Sequence, residues 1–363
     1  MRAVIVAGGT GGHIYPAVAI INKIKEKDKT SEFLYIGTND RMEKDIIPKM
    51  GIRFVGLEMK GLSKSIVGNI KVGKMFRNAV KETKKLLEEF KPDVVIGAGG
   101  YITAPVLYAA HKLRIPILIH EQNSLPGKSN KFISSFADTI CVSLPNSVNY
   151  FNKKKTVLTG NPRSEEIIKA EKVKKSSLGF SEDKKLVVIV MGSLGSTTMT
   201  ERLKEVIKGF ENKNYQVLII TGKAYFDKYR GVKLPSNVKL VSFMDNLINL
   251  LKDTDLIVTR AGASTIAEIT AIGLPAIMVP SPYVANNHQY KNAKELEEHG
   301  ACRIVLEKDF NKDNIIKEID KLFDSKEEYD KMAKASKSLG VADSATKIYE
   351  EIKRIIRWCL WTL

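Results

Sequence analysis

Val4-Ile-Val-Ala-Gly-Gly-Thr-Gly-Gly-His-Ile-Tyr-Pro16 is the stretch that decides the fold of this chain. Its apolar start is typical of a buried parallel strand, and glycines then occupy positions 8, 9, 11 and 12. Pro16 suits the first turn of a helix, where its missing N–H has no consequence. The pattern therefore predicts a strand, a glycine loop and a helix. The free loop amides and the positive helix end would point at one spot, which suits an anion or a cluster of sugar hydroxyls.

Two common nucleotide motifs do not fit this stretch. The dinucleotide fingerprint needs a glycine where Ile14 stands, and the next predicted strand ends in Ile36-Gly37 without an acid for an NAD ribose. The P-loop fails as well, because no Gly-Lys-Ser/Thr closes the turn. His13 is the unusual residue of the loop. A helix N-terminus disfavours a charged imidazole, so we expect a neutral His13 that can accept a proton. The alternative is that it helps to cap the helix.

Strands and helical patterns alternate along the chain, which indicates parallel sheets covered on both faces. The helical patterns include 17–27, 69–90 and 343–363. The strands of the first half are predicted at 2–7, 33–37, 53–57, 93–97, 117–120, 139–142 and 156–159. Those of the second half are predicted at 185–191, 216–221, 238–241, 256–259, 275–279 and 303–305.

A second glycine loop, Gly192-Ser-Leu-Gly195, follows the strand predicted at 185–191 and repeats the architecture of the first. The fold class is therefore α/β, with two Rossmann-like, doubly wound parallel-sheet domains. We assign 1–162 together with the C-terminal helix 343–363 to the first domain and 163–342 to the second, with a polar, lysine-rich connector at 165–185. Ligands bind at the carboxyl ends of parallel strands, so we expect the domains to face a cleft that holds the site.

The C-terminal helix has apolar residues on one face and an unusually apolar end, Trp358-Cys-Leu-Trp361-Thr-Leu. We expect this helix to pack back across both domains. The alternative for its end is an interfacial contact with lipid.

Composition favours anionic partners. The 363 residues include 58 Lys and Arg against 41 Asp and Glu, for a net charge of +17. The alternative is lysine-rich codon usage in an A/T-rich genome. Arginine is scarce and aromatic residues do not interleave with the basic ones, so no nucleic-acid partner is expected. Three widely spaced cysteines and the lack of a leader pattern predict a reduced, cytoplasmic protein, and no apolar run is long enough to span a bilayer.

Thr259-Arg-Ala-Gly-Ala-Ser-Thr-Ile-Ala-Glu268 is the stretch that suits nucleotide binding. Small residues open a helix after a strand, so its first amides form an anion site. Glu268, one turn in, offers two oxygens for the vicinal hydroxyls of a ribose. The alternative is a capping box between Thr265 and Glu268. Asp253-Thr-Asp255 resembles a metal motif, but it precedes its strand; we interpret it as a helix-terminating turn and expect no metal.

The segment 60–91 combines an excess of basic residues with interleaved apolar ones. Such a composition suits an anionic bilayer surface. The alternative is an ordinary solvated helix that covers the sheet. The apolar residues are Ile66, Ile70, Val72, Met75 and Phe76.

Six short motifs occur in order along the chain. They are Gly8-Gly-Thr-Gly-Gly-His13, Gly99-Gly-Tyr101, His120-Glu-Gln-Asn123, Gly160-Asn-Pro162 with Arg163, Arg260-Ala-Gly-Ala263 with Glu268, and Gln289-Tyr-x-Asn292-Ala. Together they resemble the MurG family of bacterial N-acetylglucosaminyltransferases over essentially the whole chain. The resemblance implies an inverting, metal-independent glycosyltransferase of the GT-B fold that needs no cofactor.

The reaction implied by the resemblance belongs to peptidoglycan synthesis. GlcNAc moves from UDP-GlcNAc to the C4 hydroxyl of MurNAc in undecaprenyl-pyrophosphoryl-MurNAc-pentapeptide, which converts lipid I to lipid II. The implied location is the cytoplasmic face of the cell membrane, where the protein would be peripheral and would touch an anionic membrane surface.

The resemblance also implies residue roles. Met244 would offer backbone to the uracil, Glu268 would hold the ribose, Ser193 would hold the diphosphate and Gln289 would read the GlcNAc hydroxyls. The donor helix would contribute Ala263, Ser264, Thr265, Ile266 and Ala267. The first domain would contribute Thr10, Gly11, Gly12, Asn123 and Arg163. The chain departs from the family at Leu194 and at His288, where the family often has Gln.

His13 is our first choice for the general base. Glu121, which follows the strand predicted at 117–120, is the competitor, and its alternative role is to orient Asn123 or the glycine loop. Three rival functions are a UDP-GlcNAc 2-epimerase, a glycolipid synthase that uses diacylglycerol, and a non-catalytic nucleotide-sugar sensor. The basic and apolar segment 60–91 and the 120–123 motif argue against the epimerase. A plausible base and a cradle for the leaving group argue against the sensor.

Overall fold

The computed structural model describes residues 1–62, 65–191 and 197–362. The chain divides into two compact units, which are 1–163 with 343–363, and 164–342. Each unit contains one parallel sheet.

The first sheet runs in the order β3-β2-β1-β4-β5-β6-β7, and all of its pairs are parallel. Its strands are β1 (Arg2–Val6), β2 (Glu32–Thr38), β3 (Arg53–Leu57), β4 (Val94–Gly97), β5 (Ile117–Glu121), β6 (Thr139–Val142) and β7 (Thr156–Leu158). The helices between them are α1 (Gly11–Lys27), α2 (Glu43–Ile46), α3 (Ile66–Phe90), α4 (Thr103–Lys112) and α5 (Lys128–Ile133), with 3-10 turns at Pro48–Met50 and Pro145–Tyr150.

The second sheet runs in the order β10-β9-β8-β11-β12-β13, also parallel throughout. Its strands are β8 (Lys185–Val190), β9 (Tyr215–Ile220), β10 (Val238–Val241), β11 (Leu256–Thr259), β12 (Ala276–Met278) and β13 (Arg303–Ile304). The helices are α6 (Arg163–Lys169), α7 (Thr197–Lys208), α8 (Leu247–Leu251), α9 (Ala263–Ile272), α10 (His288–Glu298), α11 (Lys312–Asp324) and α12 (Lys326–Leu339). The 3-10 turns lie at Lys175–Leu178, Phe226–Tyr229, Ala285–Asn287 and Glu307–Asp309.

These sheets confirm the predicted α/β class with two doubly wound parallel sheets. In each one the first strand of the unit pairs with the second and the fourth, which leaves a topological switch point at its carboxyl end. Both faces of β1 are buried: Val4 and Val6 belong to one apolar cluster, and Ala3 and Ile5 to another. Burial on both faces explains why the strands are continuous apolar runs.

The start predicted for the first helix was wrong. We expected the first helix at 17–27, but α1 begins at Gly11, so Pro16 lies inside it and not in its first turn. The glycines themselves form the first turn, and the carbonyl of Gly12 receives no N–H from residue 16. The connector predicted at 165–185 contains α6 and the 3-10 turn Lys175–Leu178.

The last helix, α13 (Ser344–Thr362), packs against α1 in the first unit. Ile348, Ile352 and Ile355 are buried in the same cluster as Ile14 and Ile20. The apolar stripe of the helix therefore completes the core of the unit that contains the N-terminus. That the helix spans both domains remains a prediction.

Candidate active site

The first glycine loop lies at the carboxyl end of β1 against the loop that follows β4. The Gly8 N–H donates to the carbonyl of Gly99 at 3.2 Å, and a Cβ on Gly100 would lie 2.4 Å from the Gly8 oxygen. Gly9, Gly99 and Gly100 have φ of +97°, +104° and +94°. Glycine is thus required at the two loops for their conformation and for their close approach.

His13 is the third residue of α1, and its half-buried ring contacts both loops. Nδ1 lies 3.0 Å from the Gly8 carbonyl oxygen. Because a carbonyl oxygen can only accept, Nδ1 carries a proton, and Nε2 is the nitrogen that can accept one in the neutral ring. The ring covers Gly99, where a Cβ would lie 2.6 Å from its Cδ2 atom. This orientation suits a general base.

Glu121, the other candidate base, is buried and uses both carboxylate oxygens to hold the loop that follows β5. Oε1 accepts from the Asn123 backbone N–H at 3.0 Å and from its side chain at 3.3 Å. Oε2 accepts from the Gly127 N–H at 3.0 Å and from the Asn130 side chain at 2.9 Å. These contacts match the alternative role considered for Glu121, which is to orient Asn123.

His120 lies beneath this loop and is hydrogen-bonded, directly or through Gln122, to residues at the ends of the neighbouring strands. Its Nε2 donates to the Gly160 carbonyl at 3.2 Å, and its Nδ1 accepts from the Gln122 amide at 3.0 Å. Gln122 also donates to the Ala98 carbonyl at 2.8 Å, and the Ser143 hydroxyl lies 3.3 Å from Nε2. Burial lowers the pKa of His120 to about 4, so the ring is neutral and serves as scaffold.

The remaining predicted residues of the first unit lie at the ends of its strands. Thr10 and Gly12 are exposed, and Gly11 and Asn123 are half-buried. Arg163 begins α6, and its guanidinium lies 5.7 Å from the centroid of the Tyr15 ring, which is 44% exposed. Tyr15 is not among the residues predicted from the sequence, although it lies one residue before Pro16 in the stretch that decides the fold.

Glu43, the first residue of α2, is likewise not among the residues predicted from the sequence. Its buried carboxylate accepts from the Gly9 N–H at 3.3 Å and from the Thr38 N–H at 3.0 Å. No local pattern marks this residue, because its partner in the glycine loop lies 34 positions away in the chain.

In the second unit, the residues at the start of α9 are half-buried. Gly262 is the N-cap, and within the described part of the chain no side chain caps this end. The capping-box alternative for Thr265 and Glu268 is therefore wrong, because the helix starts two residues before Thr265 and a capping box would need that residue at the N-cap. The Ser264 hydroxyl oxygen is buried and has no partner among the described residues. Such a helix start suits an anion.

Glu268 lies six residues into α9 and is buried together with Ile266 and Ala267. Gln289, near the start of α10, accepts from the Ser281 N–H at 2.9 Å, which leaves its amide nitrogen as the group that can donate to a ligand. Asn292 on the same helix donates to the Ala261 carbonyl at 3.2 Å and so fixes α10 against the start of α9. His288 donates from Nδ1 to the Ala285 carbonyl at 2.9 Å.

Arg260, in the motif before α9, has a structural role. It is buried, donates to the Val279 carbonyl at 3.0 Å and pairs with Glu307 at 2.7 Å. Asp253 and Asp255 also have structural partners: Asp253 pairs with Lys172 at 2.6 Å, and Asp255 accepts from the Leu186 N–H at 2.7 Å. Both aspartates precede β11, as expected for a turn. Among the described residues, no group of three or more His, Cys, Asp or Glu side chains is arranged to hold a metal.

Met244 is half-buried and packs on the apolar cluster of β8 and β9. Its neighbour Phe243 is 45% exposed, with the Lys223 ammonium 4.7 Å from the ring centroid. Ser193 and Leu194 lie outside the described residues, and so does Lys64 of the basic segment.

The chain matches both halves of one enzyme family. The Glycosyltransferase family 28 N-terminal domain matches residues 3–142, and the Glycosyltransferase family 28 C-terminal domain matches residues 186–348. A relative from Bacillus cereus is 42% identical over 363 residues, which is 98% of this chain and 100% of the relative. It is named UDP-N-acetylglucosamine–N-acetylmuramyl-(pentapeptide) pyrophosphoryl-undecaprenol N-acetylglucosamine transferase 1. The chain belongs to the MurG family.

Solved structures agree with the fold of this MurG-family glycosyltransferase. The crystal structure of Acinetobacter baumannii MurG matches 97% of this chain and 99% of its own with a TM-score of 0.80 at 23% identity. A putative UDP-N-acetylglucosamine 2-epimerase from Listeria monocytogenes matches 96% of this chain and 94% of its own with a TM-score of 0.70 at 15% identity. This chain thus shares its fold with both MurG and the epimerase. Its assignment as a hexosyltransferase rests on its family and not on the fold.

Proposed function

We propose that this MurG-family chain transfers GlcNAc from UDP-GlcNAc to the C4 hydroxyl of MurNAc in undecaprenyl-pyrophosphoryl-MurNAc-pentapeptide. The donor and acceptor are those in the name of the Bacillus cereus relative, which is 42% identical over its full length. The observation that carries the chemistry is the orientation of His13. Its Nδ1 is committed to the Gly8 carbonyl at 3.0 Å, so Nε2 is the atom that takes the acceptor proton.

The reaction is one in-line displacement. The C4 oxygen of MurNAc attacks the anomeric carbon of GlcNAc, and its proton passes to Nε2 of His13. The bond from the anomeric carbon to the UDP oxygen breaks, and UDP leaves with the electron pair. The configuration at the anomeric carbon is inverted. Developing charge on the diphosphate is stabilised by the first amides of α9 and by the helix dipole.

The second unit binds the donor in this proposal. Amides at 263–265 and the Ser264 hydroxyl hold the diphosphate together with Ser193, and Glu268 accepts hydrogen bonds from the ribose hydroxyls. Met244 offers backbone to the uracil. Gln289 donates to the GlcNAc hydroxyls through its amide nitrogen, because its oxygen is engaged by Ser281. Ile266 and Ala267 pack beneath the helix start as part of its buried support.

The first unit binds the acceptor through the residues that surround His13. Thr10, Gly11 and Gly12 present the exposed start of α1, and Asn123 is held in place by Glu121. Arg163 stands beside Tyr15 as a permanent positive charge for the pyrophosphate of the lipid. Glu121 acts as a positioning residue, because its carboxylate accepts four hydrogen bonds from Asn123, Gly127 and Asn130.

An apolar patch at the start of α3 supports contact with an anionic membrane surface. We define this apolar patch as Leu62, Ile66, Val67 and Ile70, whose side chains are 69–81% exposed. Val72, Met75 and Phe76 further along the helix instead pack against the core. Basic residues 60, 71, 74 and 77 flank the apolar patch, a composition that suits anionic headgroups at the cytoplasmic face. None of the helices in the described residues is long and apolar enough to cross a bilayer.

To test the proposal, the protein is given labelled UDP-GlcNAc and a short-chain lipid I analogue, and the product that carries the label is identified. We expect label in the lipid fraction with inverted anomeric configuration. Label that appears only in an epimerised nucleotide sugar would support the epimerase, whose fold the chain shares, and label lost as free sugar would contradict acceptor use.

His13→Ala is the variant that tests the base. We expect turnover to fall by about two to four orders of magnitude, because general base catalysis contributes that much, while UDP affinity changes less than about twofold. The matched control is His111→Ala, which removes an exposed imidazole from the first unit. Near-normal turnover of the His13 variant would remove this residue from the mechanism.

A further inference from the structure

The peptide group between Gly8 and Gly9 is hydrogen-bonded on both sides by side chains. Its carbonyl oxygen accepts from Nδ1 of His13 at 3.0 Å, and its N–H donates to Oε2 of Glu43 at 3.3 Å. The peptide is trans, so the two bonds leave the group in opposite directions. Glu43, one amide plane and His13 therefore form a continuous hydrogen-bonded series.

Glu43 is rigidly held in this series. It is 0% exposed, and its other oxygen, Oε1, accepts from the Thr38 N–H at 3.0 Å and from the Thr38 hydroxyl at 2.8 Å. Two glycines make room for the side chain: a Cβ on Gly8 would lie 2.7 Å from Oε1, and a Cβ on Gly37 would lie 2.7 Å from Cγ. The carboxylate is thus fixed by the ends of two adjacent strands, β1 and β2.

We propose that Glu43 is a positioning residue that sets the tautomer and the basicity of His13 through the Gly8–Gly9 peptide. A carboxylate on the amide N–H polarises the group and makes its carbonyl a stronger acceptor. A stronger acceptor at Nδ1–H holds the ring in the tautomer whose Nε2 is unprotonated and can accept a proton, and it stabilises the imidazolium that forms. The inference rests on the proposed role of His13 as the base.

No proton reaches Glu43 in this scheme. During transfer Nε2 gains the proton of the acceptor hydroxyl, and Nδ1 keeps its own. The positive ring is then stabilised by the peptide dipole and, through it, by the negative charge of Glu43. The series resembles a carboxylate–histidine pair with one peptide group inserted between the partners.

Several other titratable or charged groups lie on the elements around the ring. Tyr15 is on the same helix, Tyr101 follows the Gly99–Gly100 loop, and Glu121 ends β5. Arg163 lies over the Tyr15 ring, and His120 is buried and neutral. A substitution at Glu43 alters none of these side chains. A shift in the pH profile of that variant therefore measures the effect of Glu43 on His13 through the Gly8–Gly9 peptide.

The first test is Glu43→Gln, which keeps the shape, removes the charge and replaces one acceptor oxygen with an NH2 donor. We expect kcat to fall about tenfold while KM for UDP-GlcNAc stays within about twofold. The acid limb of the kcat profile should move to lower pH, because without the carboxylate the imidazolium is less stable and its pKa falls. Thr38→Val is the matched control: it removes a hydrogen bond from the same carboxylate but leaves the charge, so its acid limb should stay in place. An unmoved limb in Glu43→Gln would overturn the proposal.

A double-mutant cycle separates this proposal from the proposed function. If Glu43 acts through His13, Glu43→Gln should cause less than a twofold further loss in a His13→Ala background. A further tenfold loss there would overturn the series and leave the transfer reaction standing. Full activity of His13→Ala alone would instead refute the assignment of the base.

A measurement on the unaltered protein covers the case in which the variants do not fold. Nitrogen-15 NMR of the five histidines distinguishes the two neutral tautomers, with His13 assigned through its backbone connections. We expect His13 as the Nδ1–H tautomer above its pKa. The Nε2–H tautomer would overturn the proposal.

Discussion

Buried carboxylates in the two units have different neighbours, and the neighbours decide what each carboxylate can do. Glu121 uses both oxygens to hold the loop of Asn123, and Glu43 uses both to hold Thr38 and the first glycine loop. Glu307 pairs with Arg260 at 2.7 Å. Glu268, in contrast, lies in a helix whose start has no side-chain cap among the described residues. In the proposed function, Glu268 is the one of these four acids that binds a ligand.

Glu268→Gln should weaken UDP binding by about 10- to 100-fold, because a hydrogen bond to a charged group contributes about 1.5–3 kcal/mol. Isothermal titration with UDP measures this. Glu297→Gln on α10 removes an equal charge from the same unit and should leave the affinity within about twofold. Equal affinities for Glu268→Gln and the parent would refute the ribose role.

His120 should make the first unit less stable in acid. Its folded pKa of about 4 lies below the ordinary value of about 6.5, so between these pH values the unfolded chain binds a proton that the folded chain does not. The free energy of unfolding should therefore fall by about 3 kcal/mol from pH 6.5 to pH 4 through this group. Urea titrations across that range measure the slope. His120→Gln should flatten it, whereas the exposed His111→Gln should not.

At the scale of elements, α3 combines two surfaces in one helix. Its later turns bury Ala79, Thr83 and Leu87 against the sheet, as an ordinary covering helix does. Leu62, which precedes the helix, and the first two turns instead form the exposed apolar patch, and large exposed apolar patches are typical of binding surfaces. The alternative of an ordinary covering helix thus applies to the later turns, whereas contact with a membrane surface remains a proposal for the apolar patch.

Ile66→Ser combined with Ile70→Ser should weaken binding to anionic vesicles by at least about tenfold, since each isoleucine loses more than about 1 kcal/mol of apolar burial in the interface. Co-sedimentation with anionic and neutral vesicles measures this. Asn78→Ser, exposed further along the same helix, is the control. Binding that ignores both the substitutions and the lipid charge would contradict the membrane role of the apolar patch.

At the scale of the whole molecule, the chain passes from one unit to the other twice, at 163–164 and at 342–343. The N-terminal strand and the last helix belong to the same unit, so the second unit is inserted within the first. A ligand that binds only one unit should therefore stabilise that unit against local unfolding more than it stabilises the other unit.

UDP at about 100 times its Kd should raise the stability of the second unit by about 2.7 kcal/mol. Hydrogen exchange should slow at 259–272 and 281–292, and amides at 8–13 should be unaffected without the acceptor. Glu268→Gln should abolish most of the protection at the same UDP concentration. Equal protection of the 8–13 amides by UDP alone would contradict the assignment of the donor to the second unit.

The sequence by itself determined the two parallel sheets and the glycine loop between β1 and α1, whereas the role of His13 remains a proposal. Apolar runs and turn residues act locally, so strands 53–57, 139–142, 238–241 and 256–259 could be predicted to the residue. The helix start at Gly11 was missed because glycine and proline carry local preferences that α1 overrides through its packing against β1 and α13.

Only the tertiary structure decided which polar groups meet. Glu43 reaches Gly9 from 34 residues away, and Gln122 reaches Ala98 from 24 residues away, because the order of the strands brings their carboxyl ends together. No spacing in the sequence encodes such contacts. The start of α9 at Ala263 likewise depends on where β11 ends, and it determines that Thr265 does not cap the helix. Periodicity identifies an element, whereas the partner of a buried charge is set by the sheet order that joins distant parts of the chain.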